Sequence, residues 1–133
     1  ATRLRKYNLV ARCVSVGLRN TSLEWFSRQL NLMEPVNNAS DIANAALKLL
    51  KENYNFTLPL RTISVYTSNL ESATGAFQMS FFNENEKEKR LEKSIDEIRK
   101  KYGYKSVQRA VLLNNDVLNA DLHEEDDFTP FKR

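Results

Sequence analysis

Thr62, Ser64, Tyr66 and Ser68 alternate with Ile63, Val65 and Thr67. In an extended chain that spacing puts small hydroxyls and a phenol together on one face. Arg61 stands at the head of the run, and Ser27, Arg28 and Gln29 form a second polar triplet upstream. Small hydroxylated side chains let a phosphodiester backbone come close, and arginine neutralises its charge without reading bases. Ser27, Arg28, Gln29, Arg61, Thr62, Ser64 and Tyr66 are therefore the candidates for gripping nucleic acid. The plain solvent side of an antiparallel sheet fits the same pattern.

Catalysis has less to build on. His123 is the sole histidine and sits in an acidic tail, a poor place to fix a general base. One cysteine, Cys13, cannot start a zinc site; in an apolar strand it reads as a small hydrophobe. Glu84, Glu86, Glu88 and Glu92 alternate with Lys87, Lys89, Arg90 and Lys93, as on a solvated helix face with i,i+4 pairs. No catalytic residue is assigned, and no metal site.

A different chemistry is carried by Gln78, Met79, Ser80, Phe81 and Phe82. Large apolar groups between two regular elements either dock on their own domain or are offered to another protein. Each such side chain gains roughly 1.5–3 kcal/mol when it leaves water. Gln78 can hydrogen-bond at a pocket rim while Met79, Phe81 and Phe82 fill a groove, a peptide-in-groove mode of binding. The alternative is that Phe77, Phe81 and Phe82 cap the chain's own core.

The 133 residues suffice for one domain with a modest core; 41% are hydrophobic and 28% charged. No apolar run is long enough to span a bilayer, and a lone cysteine suits a reducing, cytoplasmic setting. Charge is unevenly spread. Residues 114–133 carry −4, from Asp116, Asp121, Glu124, Glu125, Asp126 and Asp127 against Lys132 and Arg133. Residues 1–113 carry +7, which suits a polyanionic partner.

The elements that must position these groups follow from periodicity. Thr2–Tyr7 reads as the last turn of a helix, basic at its negative end. Leu9–Leu18 and Trp25–Leu32 read as a strand hairpin, with Val14 and Val16 on one face of the first strand and Cys13, Ser15 and Gly17 on the other. Pro35 is expected to end the second strand. Asn38 with Asp41 resembles a capping box, and Ile42, Ala45, Ala46, Leu49 and Leu50 then keep helical spacing up to Tyr54. Leu60–Leu70 is a third strand, 71–83 a linker, and Glu84–Tyr102 a helix with Leu91, Ile95, Ile98 and Tyr102 in one stripe. Lys105–Leu113 is a plausible fourth strand, and 114–133 an acidic tail without clear pattern. The fold class expected is α+β: a mostly antiparallel sheet of three to four strands with two main helices on one face.

Four blocks in order carry a resemblance. Leu60-Arg61-Thr62-Ile63-Ser64-Val65-Tyr66-Thr67-Ser68-Asn69-Leu70 resembles the valine–small–serine–asparagine–leucine strand of the Y-family translesion DNA polymerases. The likeness is to the bacterial SOS mutagenesis (ImpB/MucB/SamB-like) branch. Val14-Ser15-Val16-Gly17 resembles the strand before that family's hairpin. Phe26-Ser27-Arg28-Gln29-Leu30, with Glu34-Pro35 beyond it, resembles its return strand. Glu86 to Arg99 is similar to the charged helix that follows. The likeness covers roughly residues 4–113.

The resemblance implies a truncated "little finger", the DNA-gripping domain at the C-terminal end of such enzymes. It would comprise residues 1–113 with the linker 71–83, followed by the tail 114–133. It implies primer–template DNA as partner and a role in DNA repair and damage tolerance. Bacterial members often carry a sliding-clamp-binding motif, glutamine–leucine–small–leucine–phenylalanine, in this linker. Gln78, Met79, Ser80, Phe81 and Phe82 match it with two replacements. The family's palm, with its metal-binding carboxylates, has no counterpart here. By this likeness the fragment is no enzyme and holds no cofactor, while the parent polymerase would use Mg2+. The domain's first strand is also missing from the likeness, and the edge so exposed invites dimerisation or replacement by the strand at 105–113.

Two rival classes stand beside this reading. One is a protein–protein adaptor without DNA contact, using the aromatic linker and the acidic tail. The other is an RNA-binding α+β module. Against the latter, the polar sheet face is expected to carry one tyrosine and no stacking pair of aromatics.

Overall fold

The computed structural model describes residues 1–76 and 86–110. Ala1–Glu92 form one compact unit and the residues from Lys93 onward another. In the first unit, helix α1 (Thr2–Lys6) leads into strands β1 (Leu9–Asn20) and β2 (Trp25–Val36). Helix α2 (Ala39–Asn53), strand β3 (Leu60–Ser72) and the short helix α3 (Ala73–Ala76) follow. Helix α4 (Glu86–Tyr102) begins in this unit and continues into the second, which also holds a 3-10 turn at Tyr104–Ser106. The expected α+β class is the observed one: a three-stranded antiparallel sheet in the order β2-β1-β3, with helices.

β1 is central because it pairs with β2 along one edge and β3 along the other, and its Val14, Val16 and Leu18 form the apolar face beneath α2. Val14, Val16 and Leu18 join Leu4, Ala11, Ile42, Ala45, Ala46 and Leu49 in the core, with Phe26, Leu30, Leu32 and Leu60 packed around it. α2 contributes the i, i+3, i+4, i+7 stripe that its spacing predicts, and it lies against β1 and β2. β3 receives less cover on the same side, so Ile63 and Val65 are exposed.

Capping explains where α2 starts. The Asn38 side-chain oxygen accepts from the Asp41 N–H at 2.7 Å, and its amide donates to Asp41 Oδ2 at 2.6 Å. A second group serves this helix end from far along the chain. Glu92 Oε1 accepts from the Ala39 N–H at 2.7 Å, while Oε2 pairs with the Arg5 guanidinium. Arg5 also donates to the Asn37 carbonyl at 2.9 Å. Glu92 thus joins α1, the α2 N-terminus and α4 through one carboxylate, whose negative charge suits the helix dipole. Both side chains are mostly shielded from water, 18% and 15% exposed. Glu92→Ala is therefore expected to lower unfolding free energy by about 2 kcal/mol, read by urea denaturation.

Two expectations need correcting. Pro35 does not end the second strand: β2 runs on to Val36, which pairs with Ala11 beyond an irregularity in the ladder. β2 lies at the sheet edge, where a residue without an N–H costs no ladder bond. Nor does a fourth strand begin at Lys105. Among the described residues, 104–106 form the 3-10 turn and 107–110 pair with no strand. Val107 instead accepts two bonds from Arg99. The apolar stripe of α4 is visible in the sequence, yet Leu91, Ile98 and Tyr102 are exposed. Among the described residues, no helix is long and apolar enough to cross a membrane.

Candidate nucleic-acid interface

Strand register decides which side chains share the face of the sheet turned away from α2. Val14, Val16 and Leu18 face the core, so the intervening Cys13, Ser15, Gly17 and Arg19 face the other way. Directly paired residues share a face. On β2 these are Asn31, Gln29, Ser27 and Trp25; on β3 they are Ser68, Tyr66, Ser64 and Thr62. Those twelve positions hold one charged side chain, Arg19, and no carboxylate.

Five of the seven candidates come together on this face: Ser27, Gln29, Thr62, Ser64 and Tyr66. Arg28 does not join them. It pairs opposite Val16, on the α2 side, where its guanidinium lies 4.2 Å from the Phe26 ring centroid and donates to the Ser27 carbonyl. Arg61 is the extra residue where the register slips between Arg19↔Thr62 and Asn20↔Leu60, so simple alternation assigns it no face. The cation that does share the face is Arg19. It bonds the Leu23 carbonyl at 3.4 Å and lies 6.0 Å from the Trp25 ring centroid.

Trp25 also corrects the expectation of a single aromatic. Trp25 and Tyr66 are 59% and 56% exposed on the same face. The Cβ position of Gly17 lies 3.3 Å from Trp25 Cζ3 and 3.5 Å from Tyr66 Cε2, so both rings lean over the glycine. A strand period begun at Trp25 rather than Phe26 would have placed the indole there.

Cys13 is buried at 2% exposure, as a small hydrophobe in the central strand. Among the described residues no three metal-ligating side chains come together. The run Gln78–Phe82 lies outside the described residues.

A small α+β domain with one sheet face packed by a helix and the other, among the described residues, polar and uncovered is the class defined here. Residues 1–81 match the impB/mucB/samB family C-terminal domain, and the chain belongs to that family. The family resemblance read from the four sequence blocks is thus shown. The chain is 30% identical over 120 residues to DNA polymerase IV of Acetivibrio thermocellus, covering 88% of this chain and 30% of that protein. It is 34% identical over 116 residues to DNA polymerase IV of Clostridium acetobutylicum, covering 86% and 29%. With DNA polymerase IV of Pelotomaculum thermopropionicum the figures are 31% over 111 residues, 84% and 27%. The chain spans under a third of the length of these relatives.

Proposed function

We propose that this chain is the non-catalytic C-terminal domain of an error-prone translesion DNA polymerase. It grips primer–template DNA by the backbone and tethers the enzyme to the sliding clamp. The observation that carries the reading is a sheet face that, among the described residues, no helix covers and whose twelve paired positions hold no carboxylate, in a family whose relatives are DNA polymerases. A polymerase that tolerates damaged bases gains from holding DNA without depending on base edges. Ser27, Gln29, Thr62 and Ser64 supply hydrogen bonds to phosphate oxygens, and Tyr66 packs on the sugar–phosphate face. Arg19 supplies the charge on that face, with Arg61 at the adjoining register slip screening phosphates beside it, while Arg28 lies on the α2 side and takes no part.

Fluorescence anisotropy with labelled primer–template DNA tests this. Affinity should fall as salt rises, because each neutralised phosphate releases a counterion. Arg19→Ala should lower the log–log salt slope by about 1. Arg61→Ala should lower it too, and an unchanged slope removes its screening role; Arg28→Ala should leave the slope unchanged. Salt-independent or undetectable binding favours the adaptor without DNA contact. The outer edge of β3, with Ile63 and Val65 exposed beside it, supports pairing with a second copy. A monomer in sedimentation at high concentration would remove that element.

A further inference from the structure

One cation among twelve positions is a weak electrostatic hold, so the open face needs another source of affinity. Its two largest side chains are Trp25 and Tyr66, each more than half exposed. Their rings come from opposite edge strands and both lie against Gly17, where absence of a Cβ lets them approach the floor of the sheet. Uncharged hydrogen-bonding groups surround them: Ser27, Gln29, Thr62 and Ser64, with Arg19 beside the indole. Exposed aromatic rings ringed by neutral polar groups and one guanidinium match a ligand that is flat, apolar on its faces and anionic on its spine. Single-stranded DNA has that chemistry, since every base offers a π face regardless of sequence.

We infer that Trp25, Tyr66 and Gly17 form a stacking platform for unpaired bases of single-stranded DNA. The inference rests on the reading of this chain as a DNA-binding domain, and it adds a second mode of contact to the backbone grip. The platform takes single-stranded template next to the duplex, and it discriminates paired from unpaired DNA by what the rings can reach. In a duplex the base faces are already stacked on one another and are not available to the indole or the phenol.

Trp25 is the one tryptophan of the chain, so its emission reports on the platform directly. The full chain is titrated at low salt with an oligothymidylate of about 12 nucleotides, a length within the usual site sizes for single strands. Parallel titrations use an abasic strand of equal charge, an oligouridylate and a blunt duplex. The oligothymidylate should quench Trp25, and the abasic strand should bind about tenfold more weakly. Trp25→Ala, followed by anisotropy of labelled strands, should weaken oligothymidylate binding by about tenfold while leaving duplex affinity within a factor of about two, and Trp25→Phe should retain most of it. Far-UV circular dichroism confirms that both variants fold; Trp25 is exposed, so neither opens the core. Equal binding of the thymidylate and abasic strands, or binding without quenching, overturns the platform while duplex binding upholds the backbone grip. Failure of every nucleic acid to bind overturns both. A strong preference for the uridylate overturns the assignment to DNA.

Discussion

Replacing Gln78, Phe81 and Phe82 together by alanine is expected to cut capture on an immobilised bacterial sliding clamp by about a hundredfold or more. Each phenylalanine that enters a groove contributes roughly 1.5–3 kcal/mol. About 1.4 kcal/mol is a factor of ten in affinity, so two lost rings alone reach the stated size. On the tether proposal Gln78 would add orientation, through hydrogen bonds at the groove rim, and Met79 and Ser80 would hold the spacing. Urea unfolding of the same variant separates this from the competing fate of those rings. If Phe81 and Phe82 cap the chain's own core, the variant loses stability and captures the clamp as well as the parent. That pair of results, equal capture with a lowered unfolding midpoint, ends the tether proposal.

Leu18→Ala is expected to lower unfolding free energy by about 3 kcal/mol. Leu18 is 1% exposed, pairs between Phe26 and Ile63 across the sheet, and belongs to the cluster shared with Ile42, Ala45 and Leu49 of α2. Removal of its isopropyl group leaves a cavity at the helix–sheet contact that the neighbouring strands cannot close without breaking register. Domains of this size are usually stable by about 5–15 kcal/mol, so one such change consumes a large share of the total. A measured loss below about 1 kcal/mol would mean that α2 repacks over the sheet, against the close-packed core described above.

Neither expected result depends on how the open face works, and that separation reflects two kinds of information in the chain. β1, β2, β3 and α2 could be read directly, because periods of 2.0 and 3.6 in hydrophobicity are local properties of the residues that form them. The Asn38–Asp41 cap was legible for the same reason, since donor and acceptor are three residues apart. The side chosen by Thr62, Ser64 and Tyr66 was legible as an alternation, without any indication of what would stand beside them.

The company those residues keep was settled by pairing. The order β2-β1-β3 sets two edge strands on either side of Gly17, and this alone brings Trp25 and Tyr66 together. The same pairing sends Arg28 to the α2 side and makes Arg19 the cation of the open face. Pro35 is compatible with a strand only because β2 has a neighbour on one side, a fact invisible in its own sequence. Glu92 reads as one more charge on a solvated helix until folding sets it against Arg5 and the Ala39 N–H. Periodicity encodes which way a side chain points relative to its neighbours in sequence. Register and strand order, set by burial of the whole core at once, decide what it meets.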